Sequence, residues 1–168
     1  MQRFIILSLA LFLAAATATT VKQCSKGRPF PLSVNVVGCD VPPCAVAKGS
    51  TAVMEAQFVG THDNIQEITT AIRATTLGIT VPYPLPEDVA NVCENLLYGA
   101  NCPIDQSEDA TYQLNFYIDK SYPEIPVKVE VDLVDENKQS IACFTVDIKV
   151  TKGSSKKYLE AEEVDKIA

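Results

Sequence analysis

One histidine, six cysteines and a scatter of carboxylates between positions 87 and 109 are the residues of this chain that ordinarily carry chemistry. His62 lies in the turn Gly60-Thr61-His62-Asp63-Asn64, where an exposed loop residue is expected rather than a general base. No second imidazole exists to share a metal or to activate a nucleophile. Glu87, Asp88, Glu94, Asp105, Glu108 and Asp109 could in principle supply a carboxylate pair for hydrolysis, but their spacing follows no pattern and reads as a solvated acidic loop. Neither a phosphate-cradling glycine loop nor a dinucleotide fingerprint occurs, so no cofactor is expected and the chain is not read as an enzyme.

The cysteines Cys24, Cys39, Cys44, Cys93, Cys102 and Cys143 form an even set, which in an oxidising compartment reads as three disulfides. Many connectivities are open to six thiols, but short loops single out two pairs. Cys39 and Cys44 enclose Asp40-Val41-Pro42-Pro43, and Cys93 and Cys102 enclose a loop with Gly99 and Asn101, which leaves Cys24 and Cys143. That last bridge would close a loop of about 119 residues, worth roughly 4 to 5 kcal/mol of chain entropy. With a single His and no short C-x2-C pair, a zinc site is not expected.

Phe4 to Ala16 is an apolar run behind Arg3, followed by the small triplet Ala16-Thr17-Ala18. Residues 1–18 therefore read as a signal peptide cut near Ala18, since a membrane span needs about twenty apolar residues. The mature protein is expected to be secreted and extracellular. With 168 residues, 47% apolar and 21% charged, the chain suits one soluble globular domain. The formal net charge is −7, and loss of Arg3 with the leader makes it −8. That balance argues against nucleic acid as a partner and against electrostatic docking on anionic membrane. No Asn-x-Ser/Thr acceptor for N-linked glycan occurs.

The elements around these residues are strands. Leu32, Val34 and Val36 alternate with polar neighbours, as do Ala52, Met54, Ala56 and Phe58. The Thr- and Ile-rich stretch from Ile65 to Leu77 reads as strand rather than helix. Tyr112, Leu114, Phe116 and Ile118 share one face, as do Val127, Val129, Val131 and Leu133. The turn Asp135-Glu136-Asn137-Lys138 then leads into a hairpin partner carrying Phe144, Val146, Ile148 and Val150. About seven strands of this kind predict an all-β sandwich of two antiparallel sheets. Residues 79–86 (ITVPYPLP) cannot be a central strand, because Pro82, Pro84 and Pro86 lack backbone donors. An extended edge or lid is expected there, with Val81, Tyr83 and Leu85 pointing the same way. Residues 151–168 begin with a polar linker and read as a charged tail.

Several of these pieces together resemble one family. Cys39-x4-Cys44 followed by Lys48-Gly49, the run Val81-Pro82-Tyr83-Pro84-Leu85-Pro86, Cys102-Pro103-Ile104, Ser121-Tyr122-Pro123 and Asn137-Lys138-Gln139-Ser140-Ile141-Ala142-Cys143 look like the ML (MD-2-related lipid-recognition) domain family, and within it the Niemann-Pick type C2-like group of arthropods. The likeness covers about residues 24–150, and the domain is taken as residues 19–150. It implies an immunoglobulin-like sandwich with an apolar cavity between the sheets, and the bridges 24–143, 39–44 and 93–102. It also implies Tyr83 and Tyr122 at the cavity entrance. The implied wall consists of Val36, Met54, Ile72, Val81, Tyr112, Phe116, Ile118, Val131 and Ile148, and the stiff proline edge is expected to hold Val81, Tyr83 and Leu85 over the opening without pairing to a neighbouring strand. The group usually has Phe and Trp where Tyr83 and Val131 stand here.

The function implied is a monomeric carrier of a sterol, a fatty acid or another small apolar molecule, in transient contact with a membrane or a lipid-accepting protein. The lysosomal lumen is the alternative location. The competing reading is a secreted interaction module whose sandwich is filled by its own side chains.

Overall fold

A computed structural model describes residues 18–153; the expected leader and most of the expected tail lie outside the described residues. Nine strands are present among them: β1 (Lys22–Gln23), β2 (Ser33–Val36), β3 (Cys44–Ala47), β4 (Thr51–Val59), β5 (Ile68–Thr76), β6 (Ile79–Tyr83), β7 (Asp109–Tyr117), β8 (Pro126–Asp135) and β9 (Ser140–Thr151). They form a sandwich. The larger sheet runs β1-β9-β8-β5-β6 with β3 also on β9, and the smaller runs β2-β4-β7. Two strands more than expected appear because β1 and β3 are only two and four residues long, too short to show an alternation. Both pair with β9, β1 antiparallel and β3 parallel, so one pairing departs from the antiparallel rule.

The alternating residues point inward, and what fills the interior changes along the strands. At one end Phe58, Ile65, Ile68, Ile104, Tyr112, Leu133, Ile141 and Phe144 are fully buried and pack together. Each such side chain contributes about 1.5–3 kcal/mol by leaving water. At the other end the same faces carry shorter side chains: Ala52 on β4, Ala74 on β5, Val127 and Val129 on β8, and Val146 on β9. Leu32 shares parity with Val34 and Val36 but precedes β2 and is exposed.

The proline run is an edge strand. β6 pairs with β5 alone, Tyr83 opposite Ile72 and Pro82 opposite Arg73, so the expectation that this segment pairs with no neighbour is corrected. Proline is tolerated because an edge strand leaves one row of backbone groups unpaired in any case. Leu77 and Gly78, at φ 49° and 80°, make the two-residue turn into β6, a left-handed pair that only the glycine accepts without cost. The acidic stretch after it is not all loop: α1 (Glu87–Ala90) starts behind Pro86 with Glu87 and Asp88 in its first turn, where the helix dipole favours carboxylates.

Three disulfides pin the layers: Cys24–Cys143, Cys39–Cys44 and Cys93–Cys102. The first joins residues 119 apart in sequence and fastens the segment carrying β1 to β9.

His62 is not a free loop residue. Its Nε2 lies 2.8 Å from Asp135 Oδ2 and its Nδ1 lies 3.0 Å from the Asp63 carbonyl oxygen. Both neighbours only accept hydrogen bonds, so the geometry suits a doubly protonated ring that donates twice. The hydrogen bond to Asp135, then the one to Asp63, raises the imidazole pKa above its usual 6.5. Burial alone would raise the Asp135 carboxyl, which is 2% exposed. The His62 bond and the backbone N–H groups of Gln139 and Asn137 outweigh it and hold Asp135 below the usual 3.8.

The pair's contribution through His62 is complete below pH 6.5 and fades as pH rises through the raised folded value. Its contribution through Asp135 is present above 3.8 and is lost as pH falls through the lowered folded value. His62→Gln should therefore lower the urea midpoint more at about pH 5.5 than at about pH 8.5. An equal loss at both values would show that His62 is not charged in the fold.

Candidate ligand cavity

Where the inward side chains are short, the two sheets enclose a cavity of about 280 Å³. That is near the lower end of the roughly 300–1,000 Å³ usual for small-molecule sites. The smaller sheet supplies Val36, Ala52, Met54, Leu114 and Phe116. The larger sheet supplies Val46, Ile72, Ala74, Thr76, Val81, Tyr83, the β8 valines 127, 129 and 131, and Val146, Ile148 and Val150. Ile118 and the β7–β8 loop, with Tyr122, Pro123 and Ile125, close the remaining side. No lining residue carries a formal charge.

Of the twelve residues named from sequence, Val36, Met54, Ile72, Val81, Tyr83, Phe116, Ile118, Tyr122, Val131 and Ile148 line this cavity. Leu85 and Tyr112 do not. Leu85 lies two residues past β6 and is half-buried against the main core. Tyr112 is fully buried four residues before Phe116 on β7, toward the packed end. Its hydroxyl accepts from Thr70 Oγ1 at 2.9 Å and donates to the Val89 carbonyl oxygen at 3.0 Å. Burial raises its pKa to about 12, although the Thr70 bond works the other way.

Leu114, Val127, Val129, Val146 and Val150 line the cavity without having been named as site residues. Their period-two spacing already assigns them to the same inward faces. Pro123 and Ile125 had no such signal, because they sit in a loop or at its end.

On one side of the lining β6 faces the β7–β8 loop. Here the Tyr83 and Tyr122 hydroxyls are hydrogen-bonded to each other. The two rings meet edge-on, centroids 6.4 Å apart, and Tyr83 also meets Phe116 edge-on at 5.1 Å. Burial, followed by the bond to Tyr83, raises the Tyr122 pKa to about 12. The Tyr122 hydroxyl is therefore protonated at any physiological pH.

Other polar clusters have structural occupations. Asp105 Oδ1 accepts from the Asn64 N–H at 2.9 Å, Glu108 Oε2 from the Asp105 N–H at 3.0 Å, and Asp109 Oδ2 from Gln57 at 3.1 Å. Cys24, Cys143 and Glu130 bring potential ligand atoms within 4.8 Å of one another. The sulfurs are committed to a disulfide and the carboxylate to Arg28 and Arg73, so this cluster does not offer a metal its ligands.

The sequence matches the ML domain family over residues 18–150. The chain belongs to the ML domain family. The mouse (Mus musculus) NPC intracellular cholesterol transporter 2 is 31% identical over 148 residues, which span 87% of this chain and 95% of the mouse protein. The crystal structure of a Niemann-Pick type C2 protein from Japanese carpenter ant has the same fold, with a TM-score of 0.67 at 18% identity over 79% of this chain and 99% of that one. The chicken MD-1 crystal structure, complexed with lipid IVa, gives a TM-score of 0.51 at 16% identity over 77% of this chain and 86% of that one. This ML domain thus shares the two-layer β architecture of those structures.

Because Tyr112 ties the sheets together outside the cavity, Tyr112→Phe should cost about 1–3 kcal/mol in urea denaturation, from the buried Thr70 hydroxyl and Val89 carbonyl left unpaired. Affinity for an apolar fluorescent probe should stay within about twofold of the parent, since the ring volume is kept. A large drop in affinity at unchanged stability would place Tyr112 in the binding wall after all.

Proposed function

We propose that this protein is a secreted carrier that takes up one sterol or other small lipid between its sheets and passes it on. The observation that carries the reading is the uncharged cavity whose lining includes two hydrogen-bonded tyrosine hydroxyls, taken in this reading as its mouth. Mouse NPC intracellular cholesterol transporter 2 and the lipid IVa complex of chicken MD-1 support a lipid as the guest. No bond is made or broken in this reading, so no catalytic residue is needed. A filled interior, which the competing interaction-module reading requires, does not describe the end of the sandwich that Val129, Val131 and Val146 line.

The driving force is roughly 25 cal/mol for each Å² of apolar surface removed from water. A sterol of about 28 heavy atoms, at roughly 0.3 kcal/mol per atom, reaches on the order of −8 kcal/mol, near micromolar, which keeps transfer reversible. The polar end of the guest belongs at the mouth, because leaving it unpaired inside would cost about 1–3 kcal/mol. Contact with a donor or acceptor, whether membrane or protein, is assigned to the β5–β6 turn. There Leu77 is 91% and Ile79 67% exposed beside the wall residue Val81. With a net charge of −7, such contact is apolar rather than electrostatic.

Processing near Ala18 fits the burial of Thr19, whose hydroxyl donates to the Cys39 carbonyl oxygen and accepts from the Val36 N–H. Three disulfides support an oxidising destination, extracellular or lysosomal, and the His62–Asp135 pair suits mild acid.

Mass spectrometry of an organic extract of the natively secreted protein should recover one lipid per chain. Tyr83→Ala, which opens the mouth, and Ile118→Trp, which fills the cavity, should each weaken probe binding by about tenfold or more while the fold persists. Protein free of lipid, together with unchanged binding in both variants, would refute the carrier reading.

A further inference from the structure

The cavity wall offers a buried guest almost no hydrogen-bonding partner. Among the described lining residues only Thr76, Tyr83 and Tyr122 carry polar side-chain groups. The Thr76 hydroxyl is already committed, donating to the Pro126 carbonyl oxygen at 3.1 Å. The two tyrosine hydroxyls at the mouth are left. They come from different elements, Tyr83 from the edge strand β6 and Tyr122 from the β7–β8 loop, and Phe116 packs edge-on against the Tyr83 ring. Sharing one hydrogen bond between two hydroxyls leaves one proton and several lone pairs uncommitted, whichever of the two donates.

We infer that the hydroxyl of Tyr83, acting with that of Tyr122, is a specificity determinant that selects lipids ending in an uncharged hydroxyl. The inference rests on the carrier reading above and adds to it the chemistry of the guest's head. An alcohol fits the pair because it can donate to one tyrosine oxygen while accepting from the other, so two hydrogen bonds replace their single mutual one and no more tyrosine protons are left free than before. An ether or ester oxygen only accepts, and a hydrocarbon does neither. A carboxylate would accept from both but would bring its charge to a mouth with no cationic lining residue, close in sequence to Asp119, whose carboxylate is held by the Ser121 N–H and hydroxyl. Tyrosine at 83 is what makes the site two-sided. With Phe there, Tyr122 alone would face the guest.

The test is a double-mutant cycle between protein and ligand, read by displacement of the neutral fluorophore N-phenyl-1-naphthylamine from delipidated protein. Competitors are cholesterol and cholest-5-ene, which lacks only the 3-hydroxyl, and the proteins are the parent and Tyr83→Phe. Removing the ligand hydroxyl should weaken competition about tenfold more in the parent than in Tyr83→Phe, as one lost hydrogen bond predicts. Cholest-5-ene itself should bind both proteins within about twofold, because the ring of residue 83 is retained. Equal ratios in the two proteins would overturn the assignment while leaving the carrier reading intact. If neither competitor displaces the fluorophore from the parent, sterol carriage fails, and this inference falls with it.

Discussion

The Tyr112 hydroxyl bridges the two sheets where they pack, and at the opposite end of the sandwich alanine, valine and isoleucine side chains make up most of the lining and leave a gap. This asymmetry governs the rest of the structure. Tyr112 on β7 reaches Thr70 on β5 and the Val89 carbonyl beyond it, so the packed end is fixed by buried hydrogen bonds as well as by apolar contact. A buried hydroxyl that must find partners tolerates little displacement. With that end locked, the shorter side chains of Ala52, Ala74, Val129 and Val146 cannot draw the sheets together at the other end, and a cavity persists.

The same asymmetry explains what could be read from the sequence. Alternation assigns a residue to a face, and the inward faces of β4, β5, β7, β8 and β9 were legible from it. It does not assign depth along the strand. Tyr112 and Phe116 share a face, but at about 3.3 Å per residue they lie about 13 Å apart. That distance separates the packed end from the cavity. Resemblance to a family placed both in the wall, and only the fold separates them. The proline run was legible as an edge from its missing donors, while its pairing with β5 depends on the Leu77-Gly78 turn. His62 looked inert because its partner, Asp135, is 73 residues away in sequence. The parallel strand β3 has only four residues, too few for a pattern to declare itself.

The chemistry-bearing residues of the sequence therefore turn out to stabilise the scaffold. The cysteines are bridged, the acidic stretch holds a turn and supplies the first turn of a short helix, and the histidine braces the β8–β9 hairpin. The cavity of this ML domain is built instead from uncharged residues, with two tyrosines among its lining. Such a site works by volume and by water exclusion. The formal charge is negative, and among the exposed apolar residues Leu77, Ile79 and Val81 lie together at the β5–β6 hairpin.

The most direct test of an interior guest is isotope-edited nuclear Overhauser spectroscopy on protein loaded with a carbon-13-labelled lipid. Contacts from the lipid to the methyl groups of Val131, Ile118 and Ile148, on facing walls of the cavity, are the predicted result. Contacts confined to Leu77 and Ile79 on the exterior, with those wall methyls silent, would contradict the account.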